Sequence, residues 1–211
     1  MTMTPQYSIA EEIANAVSHG LGTLLSVAGL TLLVFYAALE QDVLRVTSFA
    51  IYGASLVMLF LASTLYHALI NPKAKQVFKL LDHCAIYILI AGTYTPLMLI
   101  TLNGTLGYFM MTLVWLLAIT GIIYKVTCKR HNKVISVASY LGLGLVSLFC
   151  IQQLYQALHG NGLLLLCLGG GFYGFGVIFY VNRNIPFNHA IWHLFVLAGA
   201  MCHFFLMWFY V

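Results

Sequence analysis

The stretch HCAIYILIAGTYTPLMLITLNGTLGYFMMTLVWLLAITGIIYKVT, residues 83–127, carries one Asp, Glu, Lys or Arg, which is Lys125 near its end, and the turn-forming pair Asn103-Gly104 at its middle. A bilayer core of about 30 Å takes about 20 apolar residues of helix. The stretch therefore reads as two membrane-crossing helices joined by a tight turn. Cutting the rest of the chain where polar and breaker residues interrupt apolar runs predicts seven spans, at roughly 17–39, 48–70, 83–102, 107–127, 134–156, 162–182 and 188–210. The cuts fall at Glu40-Gln41-Asp42, Asn71-Pro72-Lys73, Asn103-Gly104, Lys129 to Lys133, His159 to Gly162, and Arg183 to Pro186.

Composition agrees. Of the 211 residues, 62% are hydrophobic and 7% charged, against roughly 45–50% and about 25% in a soluble domain. Most of the surface must face lipid. The ten-residue alternation of a membrane barrel is absent, so the expected fold is all-α: a polytopic membrane protein, a seven-transmembrane-helix bundle. No linker separates two domains, which makes residues 1–211 one membrane domain with 1–16 as an N-terminal interfacial segment. A net charge of +4 dispersed over a few loops offers no patch for nucleic acid. The five cysteines are odd in number and include no C-x-x-C pair, so they read as small buried hydrophobes.

Glu11 and Glu12 stand where a secretory signal would carry basic residues, and no removable signal peptide is expected. Ser8-x-x-Glu11 has the spacing of a capping box, which places a helix start near residue 9. Orientation follows from charge. With seven spans, Lys73, Lys75, Lys79, Lys125, Lys129, Arg130, Lys133 and Arg183 share the N-terminal side, and the other side holds only Arg45. The positive-inside rule then predicts a plasma-membrane protein with a cytoplasmic N-terminus and an external C-terminus.

Polar side chains within spans are costly and mark candidate functional sites. Glu12, Asn15 and His19 lie at i, i+3 and i+7, on one face at the cytoplasmic start of span one. Ser63 and His67, at i and i+4, lie near the cytoplasmic end of span two. Asp82 opens span three. His189 and His193, again i and i+4, lie in the first turns of span seven. All fall at one shallow depth. Two imidazoles from span seven and one from span two supply three neutral nitrogen donors with a carboxylate nearby, the inventory of a zinc site with one open position. The plainer reading places such histidines in the headgroup layer or on backbone carbonyls. Glu12 and Asn15 equally fit a helix N-terminus and an interhelical hydrogen bond, or support of the site.

Other candidates are weaker. His203 lies ten residues past His193, about 15 Å along the helix, and reads as an interhelical hydrogen-bond partner. His83 should face away from Asp82, and His131 and His159 fall in loops. Gly169, Gly170, Gly171, Gly174 and Gly176 suggest close helix packing more than a phosphate loop.

The ordered pattern Glu12-x-x-Asn15-x-x-x-His19, Ser63-x-x-x-His67, Leu81-Asp82-His83 and His189-x-x-x-His193, with His203 downstream, resembles the hemolysin III branch of the progestin and adipoQ receptor family, over essentially the whole chain. The resemblance implies seven helices, an intracellular N-terminus and Zn2+ near the cytoplasmic face, with His67, His189 and His193 matching the ligands. Asp82 matches an aspartate that orders water at the ion, and Ser63 matches a serine one turn before the first ligand. Because the wider superfamily includes alkaline ceramidases, the resemblance favours a zinc-dependent hydrolase of a lipid amide or related amphiphile reaching the site from the membrane. In that reading Asp82 orients water and takes its proton, while Ser63 donates a hydrogen bond to the developing oxyanion. A zinc-stabilised signalling protein or lipid sensor uses the same residues. A pore would need polar residues through the whole membrane thickness, which the outer half of the spans lacks.

Overall fold

A computed structural model describes residues 7–128 and 132–211, and among these residues the regular secondary structure is helical throughout, with no strand. Helix α1 spans Ile9–Leu39, α2 Val43–Ala68, α3 Pro72–Pro96, α4 Gly104–Thr127, α5 Lys133–Gly144, α6 Ile151–Val181 and α7 Asn188–Tyr210. A wide π turn, Leu97–Leu102, follows Pro96, and a tightened 3-10 segment, Leu145–Cys150, joins α5 to α6.

The helix starts sit where capping chemistry is encoded. Ser8 Oγ accepts the Glu11 N–H at 3.2 Å and Glu11 Oε2 accepts the Ser8 N–H at 2.8 Å, a complete capping box. Asp42 caps α2 by accepting from Arg45 N, and Asn71 caps α3 by accepting from Lys73 N and Ala74 N with Pro72 in the first turn. These caps draw α2 and α3 out to residues 43 and 72, earlier than the hydropathy cuts at 48 and 83. Polar residues in a first turn are compatible with helix when the cap satisfies the free N–H groups.

Six helical stretches among the described residues are long and apolar enough to cross a membrane: 9–39, 43–68, 72–102, 104–127, 133–181 and 188–210. The chain is a polytopic membrane protein. Between 133 and 181 the sequence reading expected two spans with a loop at His159–Gly162. The structure instead confines the interruption to one residue, His159, whose backbone leaves helical geometry at φ 54 and ψ 179. Asn103, between the π turn and α4, has nearly the same pair, φ 50 and ψ −177.

The helices are inverted relative to those of a water-soluble protein. On α1 the inward face is Asn15, His19, Gly22, Ser26, Gly29 and Leu33, whereas Ile13, Val17, Leu24 and Leu32 face outward. Small and polar residues line the interface because lipid already solvates the large apolar ones. A Cβ on Gly22 would lie 2.5 Å from the Phe60 ring, so this glycine sets how closely α1 and α2 approach. Among the glycines of α6, Gly169 and Gly176 fill the expected packing role, against His203 and against Trp192 and Phe195, while Gly170, Gly171 and Gly174 face open space. The cysteines are all unpaired; Cys84 and Cys150 are buried, and Cys167 is exposed rather than buried as expected.

Helix α1 packs along α2, α2 along α3 and α6 along α7, and α7 returns against α1. Thus α1 lies beside both helices that carry the histidine motifs. Tyr52, Phe60, Leu97, Met98, Leu206 and Met207 form the innermost packing.

Candidate metal centre

His67 closes the last turn of α2, and His189 and His193 open α7 one turn apart. The helix arrangement brings all three imidazoles into a buried cluster in which one ligand nitrogen from each lies within 4.8 Å of the others. Three points with that spacing have a common point no more than about 2.8 Å from each. Zinc binds imidazole nitrogen at about 2.0–2.1 Å, so an inward movement of about 0.7 Å per ring would complete coordination. Ring centroids are 5.1 Å apart for His67 and His189, 5.3 Å for His67 and His193, and 4.5 Å for His189 and His193.

The orientation of the His67 ring leaves one of its nitrogens free. Glu12 Oε2 lies 2.6 Å from His67 Nδ1 and accepts its proton-bearing N–H. That bond assigns the tautomer and turns the Nε2 lone pair inward. Nε2 of His67 is buried and has no hydrogen-bond partner, although leaving a buried acceptor unpaired costs about 1–3 kcal/mol. A metal ion held between the three rings would satisfy that orphan. The Asn15 backbone carbonyl faces His193 Nδ1 at 3.2 Å, and Ser18 Oγ faces the same nitrogen at 3.1 Å. His193 can therefore present its Nε2 in the same way. Such bonds from carboxylates and carbonyls to the outer nitrogen of a ligating histidine fix its orientation and raise its basicity.

Lys75 donates from Nζ to Glu12 Oε1 at 2.7 Å, so Glu12 bridges a cation at the start of α3 and an imidazole at the end of α2. Asn15 is wholly buried, and its side-chain amide approaches His67 Nδ1 at 3.4 Å. With the proton of that nitrogen given to Glu12, this approach is packing and not a second bond. His19 lies beside the cluster. Its ring stacks on His193 with centroids 3.4 Å apart and planes 14° from parallel, and neither of its nitrogens has a partner.

Ser63 is buried one helical turn before His67, and its hydroxyl lies beside the Asp82 carboxylate. The Asp82 side chain is 14% exposed, with Oδ2 3.9 Å from His83 Nδ1, and that nitrogen bonds the Lys79 carbonyl of its own helix at 2.6 Å. His203 accepts the role expected of it: Nε2 lies 3.3 Å from the Leu166 carbonyl on α6. His131 lies outside the described residues, and His159 occupies the break already described.

Three contacts had no mark in the sequence reading. The Tyr7 ring stacks on His189, with centroids 5.1 Å apart, and meets His67 edge-on at 5.9 Å. Burial, and then the neighbouring Tyr180, push the Tyr7 phenol up to about 12, so it is neutral near pH 7. Ser18 and Lys75 are the others. Tyr7 stands immediately before the capping serine, a position whose apolar side chain commonly packs onto the helix it precedes, and that register was the available signal. Glu11, besides capping α1, accepts the Phe187 N–H through Oε1 at 3.3 Å. Phe187 has φ 55 and directly precedes α7.

A membrane-embedded helical bundle with a buried, inward-turned histidine triad able to hold a metal ion is the class of protein these features define. The sequence pattern described as "Haemolysin-III related" matches residues 7–204. Similarity to individual proteins is as extensive. The chain is 46% identical to "Hemolysin-3" of Bacillus cereus over 211 residues, covering 100% of this chain and 96% of that protein. It is 45% identical to the "Hemolysin-3 homolog" of Bacillus subtilis (strain 168) over 204 residues, 97% of this chain and 96% of the other. Similarity extends to the human "Monocyte to macrophage differentiation factor", 31% identical over 207 residues, 95% of this chain and 84% of the other. The chain belongs to the haemolysin-III related family, within the progestin and adipoQ receptor superfamily.

Proposed function

We propose that His67, His189 and His193 hold a zinc ion and that the protein is a zinc-dependent hydrolase of a membrane amphiphile, a lipid amide or a close relative. The observation that carries this reading is the orphaned, buried Nε2 of His67, turned inward by Glu12 toward two further imidazoles. An all-nitrogen triad of neutral histidines suits zinc better than calcium or magnesium, which take oxygen. Zinc bound there supplies Lewis acidity toward a carbonyl oxygen or a water.

The chain's own residues supply the rest. Asp82 takes the proton from the attacking water and returns it to the amine nitrogen as the carbon–nitrogen bond breaks. Ser63, beside it, donates a hydrogen bond to the carbonyl oxygen as negative charge develops there. Glu12 and Asn15 hold the imidazoles, and His19 supports His193 by stacking. A substrate with an acyl chain reaches the site laterally, since the bundle presents little water-exposed surface.

The same reading includes seven crossings. The stretch 133–181 is 49 residues long, which at 1.5 Å per residue would make a rod of about 74 Å, more than twice the bilayer core. A reversal at His159, with the dihedrals that Asn103 uses before α4, resolves the excess. With seven crossings the N-terminus is cytoplasmic and the C-terminus external.

One observation favours a second reading, a zinc-stabilised lipid sensor: the Tyr7 ring covers His189 and narrows access to the cluster. The experiment that separates the two is turnover of a ceramide-type lipid amide by purified, zinc-loaded protein, compared with Asp82→Ala. Turnover lost in the variant supports the hydrolase. Absence of turnover over a panel of lipid amides, with zinc bound, supports the sensor.

A further inference from the structure

At the far side of the bundle from α1, Lys125 at the end of α4 is 4% exposed, and its ammonium has only neutral partners: the Ser136 hydroxyl at 2.7 Å and the Tyr140 ring at 5.8 Å. Lys133, at the start of α5, is half-buried and also has neutral partners, donating to the Tyr180 carbonyl on α6 at 2.8 Å with its Nζ 4.4 Å from the Tyr180 ring. Arg183 lies within Coulombic range of Lys133 and adds a like charge. No carboxylate of the chain reaches either lysine. The sequence has five acids. Glu11 is bound to Ser8 and Phe187, Glu12 to His67 and Lys75, Glu40 and Asp42 to Arg45, and Asp82 lies beside Ser63 and His83. A buried cation in a lipid-embedded protein without a counter-charge is costly and marks a binding site for an anion.

An apolar groove lies between the two helices that carry these lysines. It occupies about 460 Å³ between α4 and α5, with Leu117 and Gly121 on one wall, Ile135 and Leu143 on the other and Tyr87 as its floor. Gly121 permits that floor, because a Cβ there would lie 2.3 Å from the Tyr87 ring. The Tyr87 hydroxyl is satisfied by Ser139 at 2.7 Å, which leaves the groove without unpaired polarity from that ring. Along α4 the groove runs through Tyr124, the neighbour of Lys125, and along α5 it ends at Ile135, next to Ser136 and one half-turn from Lys133. We propose that the α4–α5 groove binds an anionic glycerophospholipid, with one acyl chain along the groove and the phosphodiester compensating Lys125 and Lys133. Basic pockets between membrane helices recognise lipid headgroups in this way.

Native mass spectrometry of the full chain in a neutral detergent, supplied with phosphatidylglycerol or phosphatidylcholine, tests the proposal. Wild type should retain phosphatidylglycerol in preference to phosphatidylcholine. Lys125→Met, which keeps volume and removes charge, should lower that retention by about fivefold or more, without lowering the melting temperature in lipid-free detergent, and Lys125→Arg should retain the lipid. Gly142→Leu should block retention with both cations in place, since Gly142 lines the groove and a Cβ there meets nothing within 4 Å. Equal retention of the two lipids by wild type, no retention of either, or undiminished retention in Lys125→Met or Gly142→Leu would overturn the assignment. Should Lys125→Met fail to fold, the half-buried Lys133→Gln and Gly142→Leu decide by the same readout.

Discussion

Glu12 and His67 meet across the first two helices, carboxylate oxygen to Nδ1 at 2.6 Å, and the opposite nitrogen of the same imidazole is buried without a partner. One contact thus sets the tautomer, the ring plane and the direction of the free lone pair. Replacing Glu12 with Gln removes the charge that holds this arrangement while keeping the shape. Zinc affinity should fall by about 10–100-fold, read by competition with a chromophoric chelator. Unchanged affinity would mean that packing alone orients the ring.

Ligand and water-orienting roles should separate on mutation. If zinc bridges the triad, His67→Ala would remove a metal bond tying α2 to α7, and should empty the site and lower the melting temperature by roughly 5–15 °C. Asp82→Asn should retain the metal and lose hydrolysis, because the amide keeps the shape but cannot act as a base. Elemental analysis and melting curves of the two proteins provide the comparison. If Asp82→Asn lost the ion as completely as His67→Ala, the carboxylate would itself be a ligand.

The break at His159 yields a topological test. Reporter domains active only outside the cytoplasm, fused after Gly160 and after Val211, should both be active if 133–181 crosses twice. A single crossing through that stretch would place the C-terminus in the cytoplasm and silence the second fusion.

Access to the cluster should depend on the ring that covers it. Tyr7→Ala uncovers His189 and should speed removal of zinc by EDTA several-fold with little change in equilibrium affinity, whereas Tyr7→Phe keeps the ring and the slow rate. Stopped-flow chelation measures both. Equal rates in wild type and Tyr7→Ala would show that the metal leaves by another side.

Neighbouring glycines on α6 should respond in opposite ways to one methyl group. At Gly169 a Cβ would lie 2.3 Å from the His203 ring, while at Gly170 it meets nothing within 4 Å. Gly169→Ala should destabilise by about 1–3 kcal/mol, and Gly170→Ala should be neutral or mildly stabilising because alanine is the better helix former. Thermal unfolding in one detergent checks the pair.

Much of this was legible in the chain itself. Breaker clusters located the helices because lipid imposes a sharp length requirement and leaves backbone groups no other partner. The i, i+4 pairs in α2 and α7 exposed the histidine cluster because side chains one turn apart share a face. What stayed hidden depends on tertiary approach: that Lys75 would reach back to Glu12, that Ser18 would face His193, that Tyr7 would lie on His189. None has a spacing rule, since each joins segments whose proximity follows only from how α1 fits between α2 and α7. The interruption near His159 differs in form from the reading for a local reason, a single residue at positive φ standing where a loop of four was expected.

The contact between the Asn15 carbonyl and His193 joins residues 178 positions apart. During synthesis α1 and α2 leave the ribosome together, so Glu12 can capture His67 while most of the chain is still unmade. The partner histidines arrive last, on the final helix. The early hairpin therefore waits as half a receptacle, and an ion that requires all three rings can load only after α7 has entered the membrane and closed on α1. If the three rings hold zinc, metal content would then double as a record of completed assembly, since a chain truncated or stalled before residue 189 lacks two of the three ligands.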